Sequence, residues 1–407
     1  MNRLLPFEWI AAVRFMREGL VQTLLIVVGV GLGVAVIVFM SAALAGLQTN
    51  IIRRTLNYMA PIVVIPPQQV ARSLREGGKG AAVLVQPRSQ QLRSIDQWQK
   101  VRALIERLPD VTDVTPVVSG PGFALRGDAN KAVNVIGIEP ETYLRVIALG
   151  DKIVDGKLSV ASSDIVIGTE LAQDLGAGVG DKLRLTTAGG ASQTLNVTGI
   201  FDFGNKRVNE TNVYISLHVA QSLLDIVGGV SSIEIRVRDP FEAETIAQII
   251  QDETGQEADS WIKTNAQFFT AMLAQTLTNR LIRFFVGLTA ALGIASVLVV
   301  SVVQKSKEIG ILRAMGTSRG QVLRLFLLQG AIMALAGSVL GSGLSFVFLS
   351  LFRSIAKNPD GTIMFAIEID PPLLAVTAVG ATLVGLLAAA LPARLAARLD
   401  PAVAIRG

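Results

Sequence analysis

Four long apolar segments constrain the fold of this 407-residue chain more than any other feature. A helix needs about 20 apolar residues to cross a hydrocarbon core of about 30 Å. Four segments reach that length: residues 24–47, 284–303, 325–352 and 373–391. They explain why 51% of the residues are hydrophobic and only 17% are charged, a balance unusual for a soluble domain. The sequence therefore predicts an α-helical membrane protein with four transmembrane helices.

The basic residues predict how these helices are oriented. The connection 304–320 carries Lys305, Lys307, Arg313 and Arg319 against a single acid, Glu308. The N-terminal segment 1–23 and the tail 392–407 are also basic. Short basic segments remain in the cytoplasm, so we expect these three segments inside and residues 48–283 and 353–372 outside. The net charge of +5 then reflects topology, because no basic block interleaved with aromatic residues indicates a nucleic-acid partner.

The N-terminal segment and the first apolar segment are expected to stay on the mature protein. The segment FEWIAAVRFMREG is amphipathic, and the apolar run after it is longer than the core of a signal peptide. We therefore predict an uncleaved anchor in the inner (plasma) membrane. Both termini would be cytoplasmic, and the large domain would be periplasmic or extracellular.

Residues 48–283 have the pattern of a large extracytoplasmic α+β domain between helices 1 and 2. Alternating or continuous apolar runs predict strands, and a hairpin is expected over 183–198 with its turn near AGGAS. The segment from Ser94 to Pro109 has helical spacing, with Ser94 as a candidate cap. The order of elements predicts two lobes, an α+β lobe (57–150 and 230–261) and a β-rich lobe (151–229). A helical stalk over about 264–283 follows.

Small residues mark two of the predicted spans. Gly29 and Gly33 lie four residues apart in the first, and Gly337 and Gly341 do so in the third. Small residues at this spacing let helix backbones approach closely in lipid. The pattern is compatible with packing inside one four-helix unit and with a dimer seam. No span carries a central charged residue, which argues against a proton-coupled transporter or a channel with charged rings.

The connection KSKEIGILRAMGTSRGQ predicts a short amphipathic helix between two spans. Ile309, Leu312 and Met315 form an apolar stripe, and Gly316 follows as a left-handed end. Ser318 and Gln321 have the spacing of a capping box for the next helix. The residues that lie off the stripe are Lys307, Glu308 and Arg313. Such a helix could pass a push or rotation into the membrane, or its stripe could simply touch lipid.

Several kinds of chemistry lack the residues they need. The chain has no cysteine, and its one histidine, His218, lies where a strand gives way to a helix, as expected for a capping or surface residue. No metal-ligating cluster or nucleophile–base group is evident. The glycine-rich EGGKG at 76–80 does not match a phosphate-binding loop. We therefore expect no enzyme activity and no cofactor bound by this chain itself.

Three stretches resemble one protein family. SKEIGILRAMGTSRGQVLRLFLLQGAI resembles the coupling segment of the FtsX-like, MacB-type ABC transporter permeases. The tail LPARLAARLDPAVAIRG resembles the ending of the same family. The block from DIVIGTELAQDLGAGVGDKLRL to SSIEIRVRDPFEAE is similar to the external domain of its lipoprotein-releasing LolC/LolE branch. The likeness extends over nearly the whole chain, including the arrangement of one span followed by three.

The resemblance implies a partnership and a mechanism. A cytoplasmic ABC ATPase would bind ATP and Mg²⁺ and dock on residues 307–316, and the permease would pair with a second copy or a relative in the lipid membrane. ATP-driven motion would pass to the external domain (mechanotransmission), moving lipoprotein or another envelope substrate. The short 183–198 hairpin departs from the extended hairpin that holds a lipoprotein carrier in one permease type. A tripartite exporter with a membrane-fusion adaptor, or a non-transport regulator of cell-wall hydrolases, therefore remains open.

Overall fold

The chain forms two compact units in a computed structural model that describes residues 7–67, 72–73, 84–85, 92–355 and 371–399. One unit consists of Met1–Asn50 and Ala271–Gly407, and the other of Ile51–Thr270. The EGGKG loop, most of the predicted external loop 353–372 and the tail from residue 400 onward lie outside the described residues.

Helices make up the first unit and flank the sheet of the second. In chain order the α-helices are α1 (Phe7–Glu18), α2 (Leu20–Tyr58), α3 (Trp98–Ile105), α4 (Pro140–Val146), α5 (Thr169–Leu175), α6 (Lys206–Thr211), α7 (Leu217–Leu223), α8 (Ala243–Thr254), α9 (Trp261–Thr264), α10 (Ala266–Gln304), α11 (Ser306–Ala314), α12 (Arg319–Ile355) and α13 (Pro371–Arg398).

Four of these helices are long and apolar enough to cross a membrane: α2, α10, α12 and α13. Each contains one of the four predicted apolar segments, so the prediction of four membrane helices is confirmed. The helices are longer than the apolar segments. In particular, α10 begins at Ala266, so most of the segment predicted as a stalk belongs to the same helix as the second span.

Close backbone contacts hold α12 and α13 together. A Cβ atom added at Gly330 would lie 2.6 Å from the Cβ atom of Ala389, and one added at Gly385 would lie 2.8 Å from the Gly330 carbonyl oxygen. Real Cβ atoms do not approach this closely. Glycine is therefore required at both positions. Close packing of this kind holds apolar helices together in lipid, where no hydrophobic effect draws them to each other.

The second unit is built on strands. They are β1 (Ile62–Ile65), β2 (Arg72–Ser73), β3 (Leu84–Val85), β4 (Val111–Arg126), β5 (Ala129–Ile138), β6 (Ile153–Gly156), β7 (Asp164–Gly168), β8 (Lys182–Thr187), β9 (Ser192–Phe201), β10 (Asn212–Ser216), β11 (Ser232–Val237) and β12 (Glu257–Ser260). Within the described residues, β2 and β3 pair with each other and the remaining ten strands form one sheet.

The large sheet is mixed. Its order is β12-β1-β11-β4-β5-β10-β7-β9-β6, and β8 pairs with both β4 and β9. The pairs β5–β10 and β7–β9 are parallel, and the other pairs are antiparallel. The predicted hairpin is confirmed as β8 and β9, with Leu183 opposite Leu195. Buried leucines alternate with exposed Lys182 and Arg184 on β8, as expected for a strand with one face in the core.

The predicted division of this unit into two lobes is not confirmed. The first part of β4 pairs with β11, and its last part pairs with β8, which belongs to the segment predicted as a separate lobe. Ile62 and Trp261 from one predicted lobe share a buried cluster with Leu183 and Leu195 from the other. A sixteen-residue strand thus carries the sheet across the predicted boundary.

The predicted cap of α3 is wrong. The Ser94 hydroxyl donates to the Asp96 carboxylate at 2.9 Å, and the helix begins only at Trp98. The Ile95 amide donates to the Val230 carbonyl at 2.7 Å, which ties this part of the chain to residues next to β11. Gln97 then takes a left-handed conformation (φ 56°) before the helix starts. Trp98 and Ile105 are buried, as the helical spacing predicted.

Candidate functional site

The end of α11 is a fixed turn. Gly316 has φ +104°, a conformation that side chains disfavour, and it follows directly after the helix and Met315. The Gly316 amide donates to the Arg313 carbonyl, and the Thr317 amide donates to the Leu312 carbonyl, each at 3.1 Å. These are the two hydrogen bonds of a Schellman motif, which satisfies carbonyls left free at a helix end. The predicted left-handed end at Gly316 is confirmed.

The next helix begins with the predicted capping box. The Ser318 amide donates to the Gln321 side-chain oxygen at 2.9 Å, and the Gln321 amide donates to the Ser318 hydroxyl at 3.3 Å. This reciprocal pair occupies donors that the first turn of a helix leaves without partners. Because the Schellman motif and the capping box follow each other directly, the connection from α11 to α12 has a defined geometry.

The two faces of α11 differ sharply. Ile309 is only 1% exposed and belongs to a buried cluster with Val322 and Phe326 of α12, and Leu312 packs against the same cluster. Met315, in contrast, is 79% exposed and does not share the buried side with Ile309 and Leu312. The helix ends at Ala314, and the turn at Met315 leads the chain away from the stripe. Ile311, which was not singled out from the sequence, is 50% exposed and lies four residues before Met315.

The charged residues of α11 differ in their contacts. Lys307 is exposed. Glu308 is held by Lys305, whose ammonium lies 2.9 Å from the Glu308 carboxylate. The Arg313 guanidinium donates to the backbone carbonyl of Leu399, just after α13. Of the predicted coupling residues, the structure therefore leaves Lys307, Met315 and Gly316 on the surface and commits Ile309, Leu312 and Arg313 to the chain's own fold.

The glycines of the predicted seam have different neighbours. A Cβ atom at Gly337 would lie 2.8 Å from the Val30 Cβ atom, and one at Gly341 would lie 2.8 Å from the Val34 Cβ atom, so both glycines pack against α2. A Cβ atom at Gly33 would lie 2.9 Å from Val286 of α10, whereas Gly29 has nothing within 4 Å. Gly337 and Gly341 thus serve packing within the chain, and Gly29 is the member of the set with open space beside it.

Two apolar grooves adjoin α2. One, of about 370 Å³, lies between α2 and α10 and is lined by small residues that include Gly29 and Gly293. The other, of about 250 Å³, is bounded by α2, α10 and α13. Arg283 lines the second groove, and its guanidinium donates to the Ser41 hydroxyl at 2.5 Å. This groove therefore combines an apolar wall with one cation, an arrangement suited to an amphiphile with an acyl chain and an anionic group.

Comparison with known proteins covers both units. Residues 23–253 match the MacB-like periplasmic core domain, and residues 280–401 match the FtsX-like permease C-terminal domain. The first match alone covers more than half of the chain.

Among similar proteins, the lipoprotein-releasing system transmembrane protein LolC of Neisseria meningitidis serogroup B is 26% identical over 259 residues, or 60% of this chain and 62% of that protein. LolC of Xylella fastidiosa is 23% identical over 408 residues, covering 93% of this chain and 92% of that protein. The macrolide export ATP-binding/permease protein MacB of Agrobacterium fabrum is 25% identical over 407 residues, covering 94% of this chain and 58% of that protein.

The two matches follow each other along the chain, and together they overlap all four candidate membrane helices. The chain belongs to the FtsX-like, MacB-type family of ABC transporter permeases.

Proposed function

We propose that this chain is the transmembrane subunit of an ABC transporter and transmits ATP-driven motion from a separate cytoplasmic ATPase to the unit formed by residues 51–270. The observation that carries this proposal is the two-sided construction of α11. Its outer surface presents Lys307, Ile311 and Met315, and its inner surface is fixed to the membrane helices through Ile309 and Leu312.

This construction supports force transmission for a mechanical reason. A partner that grips the outer surface of α11 would act on a helix whose inner surface is buried and whose end is fixed by the Gly316 turn. The Arg313–Leu399 hydrogen bond further ties α11 to the end of α13. Displacement of α11 would therefore move the spans instead of being absorbed by a flexible loop. Packed elements of this kind shift as units because interiors are close-packed.

In the proposed assembly the ATPase binds ATP and Mg²⁺, and this chain binds neither. The termini and α11 face the cytoplasm, and residues 51–270 face the periplasm or extracellular space. A second copy or a related permease completes the membrane part, with the open face at Gly29 as a candidate contact. The basic connection 304–320 supports this orientation, because short basic segments remain in the cytoplasm.

For the cargo we propose a lipidated envelope substrate, such as a lipoprotein. The groove lined by Arg283 and by small residues of α2, α10 and α13 would hold an acyl chain, and the guanidinium would attract an anionic group beside it. A photo-crosslinker at Thr377, which lines this groove, should capture lipoprotein in membranes. A crosslinker at Val339, a residue of α12 that is 66% exposed, is the control and should capture only bulk lipid. Equal capture at the two positions would contradict the cargo assignment.

A tripartite exporter is the second candidate, because the similarity to a macrolide export permease extends over 94% of this chain. That candidate predicts a membrane-fusion adaptor instead of a lipoprotein carrier as the external partner. Affinity purification after crosslinking in intact cells separates the two. Recovery of an adaptor with an outer-membrane channel supports export, and recovery of a soluble lipoprotein carrier supports lipoprotein release.

The coupling role is tested by variants of the exposed surface of α11. Met315→Asp and Lys307→Glu should weaken binding of the copurifying ATPase by about tenfold or more if these residues are central contacts. Arg17→Glu is the matched control, because Arg17 is an exposed basic residue of the same unit that lies outside α11. ATPase retention in pull-downs and ATP hydrolysis in nanodiscs are the measurements. Unchanged retention and hydrolysis in both α11 variants would refute the proposal.

A further inference from the structure

Lys305, between α10 and α11, joins three parts of the helical unit. Its ammonium contacts the Glu18 carboxylate at the end of α1 and lies 2.9 Å from the Glu308 carboxylate of α11. It also lies 5.7 Å from the centre of the Phe15 ring. Next to it, the side-chain amide of Gln304 accepts a hydrogen bond from Gln22 of α2 at 3.4 Å. The N-terminal helix is therefore attached where the second span turns into α11.

The ion pair at this joint is charged at neutral pH. The hydrogen bond with Lys305 lowers the pKa of the Glu18 carboxyl, and the Arg14 side chain acts in the same direction. The hydrogen bond with Glu18 is the main reason why the pKa of Lys305 is raised. Glu18 also accepts a hydrogen bond from Arg14 at 2.9 Å, but Arg14 is on the same helix and its side chain is 76% exposed. Of the two cations, only Lys305 connects α1 to another element.

The buried side of α1 packs against the third span. Ala11, Ala12 and Phe15 are buried in the cluster that also contains Ile309 of α11. The Phe15 ring lies 6.5 Å from the ring of Phe326, a fully buried residue of α12. At the same end as Glu18, α1 passes through Gly19 into α2, and the Thr23 hydroxyl donates to the Met16 carbonyl at 3.1 Å. Contacts thus run from Lys305 through α1 to both α12 and α2.

We propose that α1 is a strut of the coupling apparatus and that the Lys305–Glu18 pair is its positioning joint. The inference rests on the proposed function. When α11 is displaced, the joint makes α1 move with it, and α1 in turn moves α12 through Phe15 and α2 through Gly19. Lys305 and Glu18 act on the spans and are not contacts for the ATPase. Without the joint, α11 would still be gripped, but its displacement would reach the spans less completely.

The alternative is that α1 only anchors the chain at the membrane surface. Trp9, Ile10 and Val13 are each about two fifths exposed and could lie against lipid. Under this alternative the ion pair has no part in coupling. Its loss would also change stability little, because exposed ion pairs contribute little to it. Removal of either charge would then leave the response to ATP unchanged. The two readings therefore differ in a measurable outcome.

The test uses the full permease–ATPase complex in nanodiscs and exploits the absence of cysteine from the sequence. Gly287→Cys places a single thiol in the groove that Arg283 also lines. A Cβ atom added at Gly287 has no other atom within 4 Å. Its rate of reaction with a maleimide is measured with and without ATP plus vanadate. In this background we expect the nucleotide to change the rate, which reports motion of the spans.

Glu18→Gln and Lys305→Met should each reduce the effect of nucleotide on the maleimide reaction rate by about threefold. A change of this size is expected when one modest ion pair shifts the balance between two arrangements of the spans. The amount of bound ATPase should stay the same. Lys305→Arg, which keeps the charge and the donors, should retain the full change. Arg14→Gln is the matched control on α1 and should also retain it.

The outcomes separate this inference from the proposed function. If the nucleotide does not change the rate even in the Gly287→Cys background, transmission to the spans fails as a whole. If the background responds and Glu18→Gln and Lys305→Met respond equally well, the strut is refuted and the proposed function stands. Loss of bound ATPase in Glu18→Gln would also refute the strut, because it would make the pair part of the docking surface.

Discussion

The interiors of the two units are filled differently. The sheet of residues 51–270 is filled by large side chains, including Phe201, Tyr214 and Trp261, which are at most 1% exposed. The helical unit makes its tightest contacts where side chains are missing, at Gly330, Gly337, Gly341 and Gly385. Water drives apolar side chains into the sheet core, but lipid provides no such force between helices. Loss of volume should therefore be most damaging in the sheet, and gain of volume should be damaging between the helices.

The largest expected effect is loss of volume in the sheet. Phe201 is fully buried in a cluster with Phe203 and Tyr214, and its ring centre lies 5.2 Å and 5.3 Å from theirs. Phe201→Ala should lower the free energy of unfolding of this unit by ~3–5 kcal/mol. Phe241→Ala, at a position 57% exposed, is the control and should change it by less than about 1 kcal/mol. Urea-dependent pulse proteolysis of the whole chain measures both, and equal effects would contradict the assigned core.

Gain of volume between helices should have the next largest effect. Gly337→Leu would force a side chain against Val30 and should destabilise the helical unit by ~1–3 kcal/mol, as overpacking does. Gly29→Leu is the control, because Gly29 has nothing within 4 Å. Thermal unfolding in detergent, followed by size-exclusion chromatography, compares the two. If Gly29→Leu leaves the fold intact but separates permease dimers, the open face at Gly29 is the seam; if both variants are neutral, the assigned packing is wrong.

The third effect appears only when the pH changes and concerns Glu234, a carboxyl of the sheet whose pKa is strongly raised. Burial raises the pKa of Glu234, on β11, to about 7 from a usual value of 4.5. Its folded form holds a proton that the unfolded chain has already released, so stability is full below about pH 4.5 and falls as the pH rises through about 7. We expect a loss of ~1–3 kcal/mol between pH 5 and pH 8.5.

Glu234→Gln should remove that pH dependence, because the amide does not ionise. Urea midpoints at the two pH values, measured on the whole chain, test this directly. A variant that loses as much stability as the parent at pH 8.5 would show that another group is responsible. The helical unit provides the contrast, because the Glu18–Lys305 pair is formed by charged groups and should weaken on the acid side as the pH falls through the lowered pKa of Glu18.

Local patterns in the sequence predicted the elements that depend on neighbouring residues. The four membrane helices follow from the length of the apolar runs, and the β8–β9 hairpin follows from alternation around AGGAS. The Gly316 turn and the Ser318–Gln321 box were recognisable because all their hydrogen bonds lie within a few residues. These features need no knowledge of the rest of the fold.

Features that depend on distant residues were not predictable. The Lys305–Glu18 contact joins residues 287 positions apart, and nothing in either segment specifies the other. Met315 was assigned to the apolar stripe of Ile309 and Leu312 from its spacing, but the helix ends at Ala314. The two-lobe division was inferred from element order, but the length of β4 lets the sheet continue across the boundary. The sequence also does not show which of the predicted seam glycines pack inside the chain, because that depends on the residues of the neighbouring helix.

The uneven packing of α10 has a kinematic consequence. Its buried residues, Ile294, Leu298 and Val302, all lie in its C-terminal half, whereas α12 is buried at intervals from Val322 to Leu349. The N-terminal end of α10 is held separately, because the Phe269 ring lies 5.0 Å from the buried Trp261 ring. The middle of α10 is therefore its least buried stretch, and bending there would change the width of the groove beside Ser41, where Arg283 donates to the Ser41 hydroxyl.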